Sequence, residues 1–191
     1  MGAPPRDAQF VDTPAVDPTG VLAAVRQLMQ IHEDVVAGQV LDTVAKTRDV
    51  ELLHDLKTGS YTVRGPLLVG GLLAGGDPSM LRALRGYADP LGVAFQLRDD
   101  LLGVFGTEAE AGRPQGSDLM SAKDTSVIRL ALPKLRGTAR KSVMAVWNQR
   151  HPSAKSVRAA VEAIEQTGAR AAVEKRLATL CTVAEKRAGQ L

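Results

Sequence analysis

From Val21 onward, apolar positions recur at three- and four-residue intervals through Leu22, Val25, Leu28, Met29, Val35, Val36, Val40 and Leu41. That is the period of one helix face, and it predicts a first helix over 21–45 with these residues, Met29 included, in its core. Residues 1–20 are rich in Pro, Asp and Thr and lack the period, so they read as a flexible tail or a truncated connection ahead of a helical domain over 21–191. Asp49 reads as the cap of a short second helix through Val50, Leu53 and Leu56, with a break at Gly59. Pro66 opens a helix over 67–73 that stops near Gly75 and Gly76. Asp77-Pro78 pairs an N-cap with a proline at the first helical position. Asp89-Pro90 repeats the pair, either starting another helix or kinking a longer one. The stretch 103–124 carries four glycines and a proline and is the longest irregular segment, a length at which loops are often functional. Helices are then predicted over 125–132, 138–148, 153–165 and 168–188.

Composition agrees with an all-α chain. Hydrophobic residues make up 45% of the 191, aromatics only 3%, and the apolar content is mostly Ala, Leu and Val, which favours packed helices over a sheet. The length suits one domain or a fragment of a larger one. No apolar run reaches the roughly 18 residues that span a bilayer, and the N-terminus has no segment resembling a signal peptide. Cys181 is the only cysteine, so an intramolecular disulfide and a thiolate zinc site are excluded and a cytoplasmic setting fits. In helical phase with Leu177, Leu180 and Val183, Cys181 reads as a small buried hydrophobe. Trp147 is expected to pack a late helix.

Charge is uneven. Residues 129–191 hold thirteen Lys/Arg and four Asp/Glu, whereas 1–128 hold eleven and seventeen. No aromatics are interleaved with the basic residues, so they read as solvated helix faces rather than a nucleic-acid surface. His32, His54 and His151 form no ligand spacing. The glycine pairs 70–71 and 75–76 are not followed by the lysine of a phosphate-binding P-loop.

The strongest chemical signal is GVAFQLRDDLLG at 92–103. Two adjacent carboxylates interrupt an apolar helix, where burying charge is costly unless it is paired or binds a metal. Gln96 precedes Asp99 and Asp100 by three and four residues, so all three address one region. Carboxylate oxygens suit magnesium, and a salt-bridged pair is the other reading. Lys57, taken alone, is an ordinary helix-end cation.

The wider order narrows the choice. GQVLD at 38–42, KTGSYT at 57–62, FQLRDD at 95–100, GRPQGSDL at 112–119 and KDT at 123–125 follow one another. This order resembles the C-terminal half of the trans-isoprenyl diphosphate synthases, especially geranylgeranyl-type enzymes. The resemblance implies an incomplete version of their all-α bundle around a central cavity. It implies prenyl transfer from an allylic diphosphate to isopentenyl diphosphate, with Mg2+ assisting pyrophosphate departure. By the same resemblance, Asp99 and Asp100 begin the second aspartate-rich motif and bind the metal. Lys57, with Thr58, and Lys123 hold the diphosphate, and Gln96 lines the site. Gln39, Arg113 and Asp118 are secondary candidates.

The departures matter too. The usual motif is DD-x-x-D, and Gly103 stands where its last aspartate would be. Arg113 replaces a more usual lysine, and Ala122 replaces the glycine before Lys123. Nothing in 1–40 matches the family's first aspartate-rich motif or its paired arginines. The chain is therefore expected to be impaired or partner-dependent, active as a homo-oligomer or with a complete synthase, or else a non-catalytic subunit of one. An absent front also implies exposed apolar helix faces and self-association.

Overall fold

The computed structural model describes residues 17–45, 52 and 55–191. Residues 1–16 of the tail expected over 1–20, the cap at Asp49, and Val50, Leu53 and His54 lie outside the described residues. Those described are helical, with no strand among them, as the composition implies.

Helix α1 spans Pro18–Val40. It begins three residues earlier than its apolar period suggests, because Asp17 caps it by accepting the Gly20 N–H at 3.2 Å. The helical period is right but its core face is not. Ala24 and Gly38 are buried, whereas Val21, Leu22, Val25, Leu28, Met29, Val36 and Val40 are exposed, Met29 by 57%. Helix α1 thus packs through a small-residue side and turns a second, apolar side outward.

Gly59 makes no break. It lies inside the π-wound segment Asp55–Arg64, which runs directly into α2, Gly65–Leu73. Its partner across the packing is Gly92, whose missing Cβ lets the two backbones approach within van der Waals contact. Gly92 belongs to α3, Pro78–Phe105, which continues through Pro90 as one helix. Asp77 caps α3, accepting from the Ser79 and Met80 N–H groups at 2.8 Å each, and the Ser79 hydroxyl, with these N–H groups, lowers its pKa.

The stretch expected to be irregular is largely ordered. Its first three residues finish α3. Two short helices follow, α4 at Glu108–Ala111 and α5 at Ser117–Met120. Thr107 and Glu110 form a capping box, in which the Thr107 N–H donates to Glu110 Oε2 at 3.0 Å. Then come α6 Ser126–Ala131, a 3-10 turn Leu132–Lys134, α7 Gly137–Met144, α8 Ala154–Glu165 and α9 Ala169–Ala188. Helix α7 stops short of its expected end at 148. Beyond it, Asn148 adopts a left-handed φ of 58° and its N–H bonds the Leu119 carbonyl at 3.1 Å.

The main core lies between the second half of α3 and helices α6–α9. Leu97, Val104, Ile128, Val143, Ile164 and Val173 belong to it, and the half-buried Trp147 packs against it. Helix α9 lies along α3 over the most extensive helix contact. There Arg170 stacks 5.0 Å from the Phe105 ring centroid and pairs with Glu165 and Glu174. Cys181 is half-buried rather than buried, and His32 and His151 are exposed. Helix α3 is held on one side by this core and on the other by the π-wound segment and α2, which α1 backs in turn, so its last turns are a rigid platform.

Candidate functional site

The carboxylates of the α3 platform have different surroundings. Asp100 is fully buried. Its Oδ1 accepts from Gln96 Nε2 at 3.0 Å and its Oδ2 accepts from the Ser126 backbone N–H at 2.8 Å. Asp100 therefore ties α3 to the first turn of α6. Ser126 has no sequence signal for this role, because it acts through its backbone. One position earlier, Asp99 is 39% exposed. Arg113 Nη2 donates to its Oδ1 at 2.9 Å and to its carbonyl at 3.1 Å. Lys123 Nζ donates to its Oδ2 at 3.2 Å. Arg113, a secondary candidate in the sequence, is thus a direct partner of Asp99.

A third carboxylate arrives from the loop. Asp118 is only 2% exposed, and its Oδ2 has no hydrogen-bond partner among the described residues. Burial pushes its pKa up, while Lys123 and Arg113 oppose the shift. Lys123 Nζ lies 3.8 Å from Asp118 Oδ2 and 4.0 Å from Asp100 Oδ1. One ammonium is therefore shared by three carboxylates.

Gly103 explains how Asp118 gets there. A Cβ on Gly103 would overlap the Asp118 carboxylate. The glycine that looks in sequence like a lost aspartate is in space the floor on which another aspartate rests. The loop is pinned in that position by Gln115 Nε2 donating to the Phe105 carbonyl at 3.1 Å and by Ser117 Oγ donating to the Gly103 carbonyl at 3.3 Å.

Not every candidate joins this cluster. Gln39 is exposed on α1 and donates to Thr43 Oγ1 at 2.9 Å. Lys57 and Thr58 belong to the π-wound segment that packs on α3, and their side chains lie outside what is described. Among the described residues, no three His, Cys, Asp or Glu side chains form a set that could hold a metal by themselves. A magnesium ion that keeps waters and substrate phosphate needs only one or two carboxylates. The half-exposed Asp99 and the orphaned Asp118 oxygen fit that need.

A profile of the family described as polyprenyl synthetase matches residues 15–164. The chain belongs to the polyprenyl synthetase family. It is 31% identical over 174 residues to the (2E,6E)-farnesyl diphosphate synthase of Mycobacterium tuberculosis (strain ATCC 25618 / H37Rv), covering 88% of this chain and 44% of that protein. It is 33% identical over 132 residues to the farnesyl diphosphate synthase of Geobacillus stearothermophilus, covering 64% and 43%. Among solved structures, the geranylgeranyl pyrophosphate synthase of Corynebacterium glutamicum, complexed with isoprenyl diphosphate and magnesium, superposes with a TM-score of 0.81. It is 31% identical, over 92% of this chain and 52% of that one. The chain thus spans about half the length of the relatives it matches.

Against the family's pattern, Ala122 has a structural consequence. It adopts a φ of 51°, which costs a residue with a Cβ about 1 kcal/mol or more. The turn is needed because the Lys123 N–H returns to the Asp118 carbonyl at 2.8 Å, fixing the lysine beside the carboxylates. Replacing an ordinary helical alanine with glycine costs about 1 kcal/mol. Ala122→Gly is instead expected to leave urea-unfolding stability within about 0.5 kcal/mol of the parent, or above it, because relief of strain offsets the entropy of glycine.

Proposed function

We propose that this chain carries the magnesium- and diphosphate-binding wall of a prenyl-transferring site, for an allylic diphosphate joining isopentenyl diphosphate in isoprenoid biosynthesis. The observation that carries this reading is the convergence of Asp99, Asp100 and Asp118 on one ammonium, in a chain of this family. Asp99 at the rim and the unpartnered Asp118 oxygen would hold Mg2+, with the hydrogen-bonded Asp100 fixing their helix from behind. Lys57, Thr58 and Lys123 would bind the diphosphate. Gln96 orients Asp100 and Arg113 orients Asp99. When bound, the metal would stabilise negative charge developing on the departing pyrophosphate. The helical wall would keep water from the allylic cation. Among the described residues no helix is long and apolar enough to cross a membrane. With a single cysteine, that is compatible with a cytoplasmic setting.

The reading predicts that an allylic diphosphate binds the purified chain only with Mg2+. Titration of labelled geranyl diphosphate is expected to show binding that weakens by about tenfold or more in Asp99→Asn, a change that removes one charged partner. Binding that ignores the metal would sink the assignment. Turnover of isopentenyl diphosphate in the same samples asks whether this wall suffices alone. A second reading, a non-catalytic subunit that associates with a complete synthase, is favoured by the outward apolar side of α1. One relative, 31% identical over 144 residues, is the heterodimeric geranylgeranyl pyrophosphate synthase large subunit 1 of Arabidopsis thaliana. Turnover that appears only when a complete synthase is added would support this alternative.

A further inference from the structure

The position of the Lys123 ammonium has a consequence for how a divalent ion enters. Its nitrogen is 3.2 Å from Asp99 Oδ2, 3.8 Å from Asp118 Oδ2 and 4.0 Å from Asp100 Oδ1. It therefore occupies the space between the carboxylates that an incoming cation would claim. We propose that Lys123 is the resident cation of this cluster, and that a divalent ion binds well only when a diphosphate draws the ammonium away.

Three observations support a resident that stays until it is drawn away. The Lys123 side chain is 40% exposed, so the ammonium has a path to solvent or to a phosphate above the site. Its backbone does not need to move, being anchored by the N–H bond to the Asp118 carbonyl and by the left-handed Ala122. Its departure would also strand Asp118, whose Oδ2 is buried with no hydrogen-bond partner among the described residues. A buried carboxylate that loses its nearest cation is disfavoured, so the lysine stays until a diphosphate draws it away and a divalent ion takes its place. Arg113 acts on Asp118 less than Lys123 does, and its hydrogen bonds go to the Asp99 carbonyl and Oδ1.

The arrangement couples two ligands. A divalent ion arriving alone meets an ammonium a few ångströms from its site, and like charges at that range oppose each other. A diphosphate offers the ammonium a new partner, so each ligand raises the affinity for the other. Lys123 is then more than a diphosphate contact. As a mere contact, its loss would weaken diphosphate binding and leave metal affinity unchanged. As the resident cation, its loss would strengthen metal binding.

The test is titration of the purified chain with Mn2+ alone, following free Mn2+ by electron paramagnetic resonance. Lys123→Met, which keeps the length and removes the charge, is expected to bind Mn2+ about tenfold more tightly than the parent, once solvent screening of the charge is allowed for. Lys123→Arg, which keeps the charge, is expected to bind no more tightly than the parent. Melting temperatures read the same point independently of affinity. Lys123→Met should melt lower than the parent without metal, and Mn2+ should raise its melting temperature more than the parent's. Equal Mn2+ affinity in the parent and Lys123→Met, or an equal rise in their melting temperatures, would overturn the proposal. The inference rests on the carboxylate half of the proposed site. Because neither readout needs an allylic substrate or turnover, an inactive chain does not obscure the answer.

Discussion

Replacing Gly103 with aspartate, the residue that the usual DD-x-x-D motif carries there, is expected to damage this protein rather than complete its site. The Asp118 carboxylate already rests where the new Cβ would go. The intruding side chain must displace a group that is 98% buried beneath Lys123 and held by a pinned loop. It also brings another negative charge to a place where burial already pushes the pKa of Asp118 up. Overpacking and unpaired buried charge each cost on the order of 1–3 kcal/mol or more, so a loss of about 3 kcal/mol is expected in urea unfolding. Combining Gly103→Asp with Asp118→Ala reopens the space. The double variant should be more stable than Gly103→Asp alone, with a coupling of about 1 kcal/mol or more between the two positions. A Gly103→Asp protein as stable as the parent would show that Asp118 can leave its place freely.

The same pair of residues shows where reading the sequence stopped short. Spacing along one helix placed Gln96, Asp99 and Asp100 on a common region, and the structure joins Gln96 to Asp100 by a direct bond. Helical spacing does not reach from Gly103 to Asp118, which lies fifteen positions further along the chain. Along the chain Gly103 stands where the motif's last aspartate would be, and in space it makes room for Asp118. The helical period marks α1, and cap chemistry marks the start of α3 at Asp77. The period did not say which side of α1 is packed, because its large apolar residues face outward and Ala24 and Gly38 make the close contact. Glycine counting made 103–124 a loop, although the Thr107–Glu110 capping box was there to be read. The bond from the Ser126 backbone to Asp100 was invisible in any case, since no side chain encodes it.

Asp99 and Asp100 are neighbours of identical chemistry, yet their alanine variants are expected to fail in opposite ways. One step along a helix turns a side chain by about 100°. That rotation puts Asp100 inside, against Gln96 and the start of α6, and leaves Asp99 at the rim between Arg113 and Lys123. Asp100→Ala strands the Gln96 amide and the Ser126 N–H in a dry place, and buried donors without partners cost about 1–3 kcal/mol each. A loss of about 3 kcal/mol is expected in urea unfolding, with α6 detached from α3. Asp99→Ala removes partly solvated ion pairs, which contribute about 1 kcal/mol or less, so the protein should unfold near the parent's midpoint. Binding should divide the other way. The folded Asp99→Ala protein is expected to lose Mg2+-dependent binding of an allylic diphosphate by about tenfold or more. If Asp100→Ala proved as stable as the parent, Asp100 would be a ligand held in reserve rather than the tie between two helices. If Asp99→Ala bound the diphosphate normally, the metal would have to be held elsewhere, and the pairing of Asp99 with Arg113 and Lys123 would be structural. The paired aspartates thus form one unit in which the buried member fixes the helix and the rim member meets the ligand. That division explains why two charges are tolerated in an apolar helix, since one is fully hydrogen-bonded and the other reaches solvent.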